Sequence, residues 1–318
     1  MTTAAVPIDT VSIDVVMPTY NGAAYLGAQL SSLQHQTHMP RRVMICDDGS
    51  SDSTGLILRR WHKSWSAVDL VEADEPQQGA TRRFHHLLTT VAGRGDLPDL
   101  LAFCDQDDEW FEGKLERAVA WHRQQDAAVP ALYCSAAVLT DQRMVPVGQS
   151  PKWRREPAFR NALVENIALG CTIVLNRAAL ELLNREWPRG VIAHDWWAYL
   201  VVSGAGGQVY FDPEPSLNYR QHNRNAIGMA HSALGQLVGR IRRIATGQMP
   251  PLLAQARALA DAYGDDLTPE ARQQLDRFIN VQKTTGNRLT ALVAPVVRRQ
   301  RLIDNLVLRL MLAFGTLR

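Results

Sequence analysis

The 318-residue sequence has no apolar run approaching the ~18 residues that a membrane-crossing helix needs. Its opening, MTTAAVPIDT, has neither a basic n-region nor an apolar h-region, so no secretory signal is expected. Cysteine is scarce. Cys46, Cys104, Cys134 and Cys171 lie far apart, and none forms a C-x-x-C pair. Three fall in apolar, strand-like runs, and the fourth follows Gly170 at the start of another. That spacing argues against a disulfide framework or a zinc site and for buried free thiols in a reducing cytosol. No internal repeat and no low-complexity tract occurs. There is no Walker motif and no G-x-S-x-G. SGAGGQ (203–208) does not fit G-x-G-x-x-G and follows no strand, so it reads as a loop.

What is present is an ordinary globular composition, 46% apolar and 21% charged, long enough for one large domain or two smaller ones. The net charge of +2 hides an asymmetry. From residue 231 onward 13 Lys and Arg stand against 6 Asp and Glu, whereas before it 21 stand against 26. An acidic front and a basic tail suggest different tasks, and a basic tail can meet an anionic membrane or a nucleic acid.

The front alternates. VSIDVVM (11–17) reads as a strand, and 22–36 as a helix with Leu26, Leu30 and Leu33 on one face. A second strand covers 43–46 and its flank, followed by a helix over 52–63. A strand at 67–73, a helix at 80–92, a strand at 100–104, a helix at 112–125 and a strand at 131–139 continue the series. This alternation predicts βαβ units and a mostly parallel sheet covered by helices. Ligands bind such sheets beyond the carboxyl ends of the strands, which gathers PTYNG (18–22), DDGSSDS (47–53) and DQDDEW (105–110). Beyond about 140 the alternation weakens. TDQRMVPVGQSPKWRREP reads as a loop, GCTIVL (170–175) as an apolar run, HDWWAYL as a helix start, and everything from 231 as helical. Thr268 is the expected N-cap of one helix, with Pro269 at its first position. The last helix is expected over about 297–314.

LLAFCDQDDEW (100–110) sets four acidic residues, Asp105, Asp107, Asp108 and Glu109, within five positions at the end of an apolar run. Like charges there repel and lose hydration. Two carboxylates at i and i+2 can turn toward one hard divalent cation, Mg²⁺ or Mn²⁺; they can equally be a solvated turn capping the next helix. Asp47 and Asp48 are more acid than a cap requires and can accept hydrogen bonds from a nucleobase or ribose, while Tyr20 can line a base pocket.

Five motifs in order, VVMPTYNGAAYLGAQLSSLQHQT, VMICDDGSSDST, LLAFCDQDDEW, HDWWAYL and YRQHNRNAIG, resemble the family 2 glycosyltransferases of GT-A fold, and in combination their bacterial rhamnosyltransferase-like branch. The resemblance covers roughly 11–230. It implies a mixed, mostly parallel α/β sheet flanked by helices. It does not cover the C-terminal helices, which the residue pattern itself adds as an α-helical extension, so the expected division is a catalytic domain at 1–230 and a basic helical region at 231–318. The resemblance also implies roles. Pro18, Thr19, Tyr20, Asn21, Asp47, Asp48, Asp105, Gln106, Arg220 and Arg224 would bind the nucleotide-diphospho-sugar donor. Asp105, Asp107 and His222 would hold Mg²⁺ or Mn²⁺, with Asp107 the direct ligand. Asp195 would be the catalytic base, and Trp196, Trp197 and Gly170 would face the acceptor. One segment departs from the pattern: where the family often has Asn-x-Gly before the third helix, this chain reads QQGATRRFHHLL, so no donor role is carried to Arg82 or Arg83.

Each residue also has a plainer reading: Asp195 as a helix N-cap, a tryptophan as core, His222 as a loop histidine, and Asp108 and Glu109 as the start of the next helix. The expected activity is inverting transfer of a sugar, first L-rhamnose from dTDP-L-rhamnose, onto a glycan hydroxyl in cell-surface polysaccharide synthesis. A UDP-hexose donor is the alternative, and rival classes are a sugar nucleotidyltransferase and a non-catalytic sugar-nucleotide binder. The expected setting is the cytoplasm, with the basic amphipathic stretch 297–314 touching the inner membrane face near a polyprenyl-diphosphate-linked acceptor. Packing on the domain or self-association by these helices is equally open. Nucleic acid is not an expected partner.

Overall fold

The computed structural model describes residues 11–76, 78–221, 250–293 and 295–317. Its front alternates as the sequence predicts: β1 (Ile13–Thr19), α1 (Leu26–Gln34), β2 (Arg42–Asp47), α2 (Thr54–Ser64), β3 (Val68–Val71), α3 (Ala80–Ala92) and β4 (Leu100–Phe103). There follow β5 (Glu109–Trp110), α4 (Lys114–His122), β6 (Ala131–Thr140), β7 (Pro146–Gln149), α5 (Phe159–Ala162), β8 (Val174–Asn176), α6 (Arg177–Leu183), α7 (His194–Gly204) and β9 (Gln208–Arg220). The C-terminal helices are α8 (Leu252–Tyr263), α9 (Pro269–Ile279), α10 (Thr285–Val293) and α11 (Leu302–Phe314).

Among the described residues nine strands form one mixed sheet, ordered β3-β2-β1-β4-β8-β6-β9-β5 with β7 beside β6. The block β3-β2-β1-β4 is parallel throughout, and the long pair β6–β9 is parallel too. The short strands β5, β7 and β8 run antiparallel to their neighbours. Side chains alternate between the faces of a strand. Val15 and Met17 pack with Leu26, Leu30 and Leu33 of α1, Leu58 of α2 and Leu115 of α4; Val16 packs with Phe84 of α3, Trp197 of α7 and the C-terminal helices. Burial on both faces is why these strands read as unbroken apolar runs. A fully buried Leu such as Leu30 is worth about 2–5 kcal/mol when truncated to Ala.

Four features add to the sequence reading or differ from it. QVYFDPEPSLNYR is a 13-residue strand despite two prolines. Its register on β6 jumps from Asp212 opposite Ser135 to Pro215 opposite Ala136, so Pro213 sits in a bulge where no ladder donor is needed. The loop after 140 contains a hairpin arm, β7, all of it exposed. Neither Asp108 nor Glu109 starts α4, which begins at Lys114: Asp108 is buried and Glu109 lies in β5. The last helix begins at Leu302, because 295–301 is an irregular strap that meets the segment 155–165. Thr268 does cap α9: its hydroxyl accepts from the Ala271 N–H at 3.1 Å, ahead of Pro269. Leu259, Phe278, Leu308 and Leu312 of the C-terminal helices join the core that α7 covers.

Candidate active site

Three strand ends converge on one cavity of about 1480 Å³, more than the ~300–1,000 Å³ of common small-ligand pockets and enough for two substrates. At the end of β1, Pro18, Thr19, Tyr20 and Asn21 line it. The Gln106 side chain pairs with the Tyr20 backbone like a strand neighbour: Tyr20 N–H donates to Oε1 at 2.9 Å and Nε2 donates to the Tyr20 carbonyl at 3.0 Å. Gly22 makes that pairing possible, since a Cβ there would lie 2.1 Å from Gln106 Oε1. Asn21 takes a left-handed φ of 46° and its Oδ1 accepts from Ser51 N–H, pinning the β1 turn to the β2 turn.

The two acids after β2 divide. Asp47 accepts from the Thr19 hydroxyl at 2.8 Å and from the Ser50 N–H and hydroxyl. These bonds tie the turn. Asp48 lines the cavity. It accepts from the Gln78 and Gly79 N–H groups and from Arg83 Nε at 2.6 Å. Arg83 is 1% exposed, also reaches Asp74, and lines the cavity with a buried Nη2 that has no partner among the described residues. Arg82 points elsewhere, to Glu186. Sequence reasoning left these two arginines unresolved; helical spacing from Gly79 was the only available signal.

Past β4 the acidic cluster splits as well. Asp105 and Asp107 line the cavity with Asp195, the second residue of α7. Burial, then the negative charges of Asp107 and Asp195, push the Asp105 carboxyl up to about 8. This environment is short of positive charge, and its oxygen donors fit a hard divalent cation. Asp108 turns inward, where its Oδ1 accepts from the Arg220 N–H at 3.1 Å. Asp105, Asp108 and Cys171 place one potential ligand atom each within 4.8 Å of one another. Burial raises the Cys171 thiol well above its usual range, so that soft, protonated group suits a hard cation less than Asp105 with Asp107 does.

Burial raises Asp195 to about 6; the Trp196 N–H, the Asn166 side chain and the Gly170 backbone pull it back toward the carboxylate. The Trp196 N–H donates to Oδ1 at 2.7 Å. Gly170 lines the cavity beside it, and a Cβ there would lie 2.7 Å from His194 Nε2. His194 is buried, stacks on Phe84 at 3.8 Å, and is depressed to about 3, so it stays neutral.

Four further expectations are corrected or fall outside the described residues. Trp197 is fully buried edge-on to Tyr263 at 5.8 Å, in the core and away from the acceptor. Trp196 lines the cavity while its Nε1 donates to the Ala162 carbonyl. Arg220 is buried and organises the acidic loop instead of facing a diphosphate. Its Nε donates to the Asp107 carbonyl, Nη1 to the Gln142 carbonyl and Nη2 to Glu109, and it stacks on Tyr25 at 4.4 Å. His222 and Arg224 lie outside the described residues. Sequence reasoning missed the far wall entirely: Trp153, Phe211, Arg299, Asp304 and Val307 close it.

Residues 14–183 match the sequence pattern of the family described as Glycosyl transferase family 2. The chain belongs to glycosyl transferase family 2. It is therefore a glycosyltransferase, and its fold agrees. The dTDP-rhamnosyl transferase RfbG of Shigella flexneri is 28% identical over 226 residues, 67% of this chain and 73% of that protein. The UDP-Glc:alpha-D-GlcNAc-diphosphoundecaprenol beta-1,3-glucosyltransferase WfgD of Escherichia coli is 28% identical over 174 residues, 54% of this chain and 63% of that one, less than two-thirds of its length. Among solved structures, S. aureus TarS 1-349 in complex with UDP-GlcNAc superposes with a TM-score of 0.56 at 14% identity, covering 95% of this chain and 82% of that one. The mannosyltransferase PcManGT from Pyrobaculum calidifontis in complex with GDP-Man and Mn²⁺ gives 0.54 at 20%, covering 98% and 83%. These likenesses establish the GT-A fold.

Proposed function

We propose that this family 2 enzyme transfers a sugar with inversion from a nucleotide-diphospho-sugar to a glycan hydroxyl. The observation that carries the reading is the convergence of Asp105, Asp107 and Asp195 on one cavity, with Asp195 poised near 6. Asp195 takes the proton of the acceptor hydroxyl as its oxygen bonds to the anomeric carbon; the bond from that carbon to the diphosphate oxygen breaks, and the nucleoside diphosphate leaves. A base near neutrality at the operating pH suits this work. Asp105 and Asp107 would hold Mg²⁺ or Mn²⁺, which supplies Lewis-acid neutralisation of charge on the diphosphate. Asp48, Arg83 and Tyr20 lie at the nucleotide end, and Trp196 and Gly170 at the acceptor end.

The likeness to RfbG supports L-rhamnose from dTDP-L-rhamnose as first donor, the likeness to WfgD a UDP-hexose as second and a polyprenyl-diphosphate-linked acceptor in polysaccharide synthesis. The chemistry is assigned to 1–230 and contact to 231–318, of which Arg299, Asp304 and Val307 also close the cavity. No helix among the described residues is long and apolar enough to cross a membrane. The exposed face of α11, with Leu302, Ile303, Leu306, Leu310 and Phe314 beside Arg301 and Arg309, supports in-plane contact with an anionic bilayer on the cytoplasmic side. A thermal-shift panel of nucleotide-sugars with Mn²⁺ tests the donor, which stabilises by mass action. Chelator should abolish transfer, and Asp195→Asn should lower it by about 10²–10⁴-fold; transfer by that variant near the wild-type rate would sink the assignment.

A further inference from the structure

Outside the catalytic carboxylates, a second charged group is built from two distant segments. The strap 298–300 is fastened to the segment 155–165, which contains α5, by backbone and amide contacts. Arg155 N–H donates to Gln300 Oε1 and Gln300 Nε2 donates back to the Arg155 carbonyl, both at 3.0 Å. Arg298 N–H donates to the Arg160 carbonyl at 3.1 Å, and the Asn161 amide donates to the Arg298 carbonyl. Gln300 N–H and the Asn161 amide both donate to Glu165.

This fastening brings Arg155, Arg160 and Arg298 together. Among the described residues none of the three guanidinium groups donates a hydrogen bond or joins an ion pair. Burial and the charges of Arg160 and Arg155 push the Arg298 guanidinium below its usual range, so the three repel one another. Arginine forks match phosphate geometry. Their sequence neighbours Trp153, Glu165 and Arg299 line the cavity, and the apolar face of α11 begins three residues further on.

We propose that Arg155, Arg160 and Arg298 form a second anion site, at the acceptor end, that binds the diphosphate ester joining the acceptor glycan to its lipid. This deepens and rests on the reading of the acceptor as lipid-linked. In the chain the three arginines adjoin residues that line the cavity, Trp153 and Arg299, and Arg298 lies four residues before the exposed apolar face of α11. In this proposal a glycan, its diphosphate and its lipid would meet these three surfaces in that order.

The test uses the full chain with decyl diphosphate as probe, measured by titration calorimetry, and phosphatidylglycerol vesicles measured by co-sedimentation. Arg160→Ala/Arg298→Ala should weaken decyl diphosphate at least about tenfold and leave vesicle binding within about twofold. Arg160→Lys/Arg298→Lys should retain most of the affinity, which separates charge from folding. Unchanged decyl diphosphate binding would mean that the probe sits at the donor site and would overturn the proposal. So would loss of vesicle binding alone, which assigns the arginines to bilayer phosphate. A nucleotide-sugar panel without a donor would defeat the glycosyl-transfer reading and leave this binding difference standing.

Discussion

Arg83 and Asp48 form a buried ion pair in the cavity wall, Nε to Oδ1 at 2.6 Å with side chains 1% and 6% exposed. Removing one partner of such a pair strands a buried charge, at a cost of about 3–5 kcal/mol. Asp48→Ala and Arg83→Met should each destabilise by that order in urea titration. The double variant should cost clearly less than the sum, because neither charge is then left alone. Additive losses would mean that the pair is not coupled.

The acid limb of the reaction should report Asp195. A base acts as the carboxylate, and a raised value means that this form is lost as pH falls through about 6, well above the ~3.9 of an ordinary Asp. kcat/KM should therefore fall about tenfold per pH unit below that point. A limb appearing only near pH 4 would contradict the assignment.

Stability should carry a separate signature from His122. This ring is buried, donates from Nε2 to the Val174 carbonyl and is depressed to about 4 by burial. The folded state holds it neutral while the unfolded chain takes up a proton below about 6.5. Its contribution is thus complete above that value and is lost as pH falls toward 4, by about 1.4 kcal/mol per unit. His122→Gln should flatten that part of the pH–stability curve; an unchanged slope would assign it to other groups.

The outer face of α11 should matter for membranes and not for chemistry. Leu306→Glu/Leu310→Glu places charges on exposed apolar positions. Binding to anionic vesicles should fall at least tenfold while transfer to a water-soluble acceptor stays within about twofold. Equal vesicle binding by the variant and the parent would remove the helix from the interface.

The sheet and its strand-end chemistry were legible because burial on both faces leaves long apolar runs, and because Thr19, Asp48, Asp105 and Asp107 must follow them. The direction of individual side chains was not legible. Asp108 and Asp107 are adjacent, yet one faces the core and the other the cavity, and only the strand twist and the Arg220 scaffold decide which. Trp197 and Trp196 diverge for the same reason, since successive helical residues point about 100° apart. β9 escaped notice because its prolines sit at a bulge. The far wall escaped because contacts between Arg299 and residues near 164 span more than a hundred positions and leave no local pattern.

That wall has a consequence for how the cavity is held together. Arg299, Asp304 and Val307 close it from a segment that is fastened to residues 155–165 across more than a hundred positions. The enclosure therefore depends on a long-range clasp, Gln300 on Arg155 and Arg299 on Val164, while the carboxylates at the strand ends are held by the sheet itself.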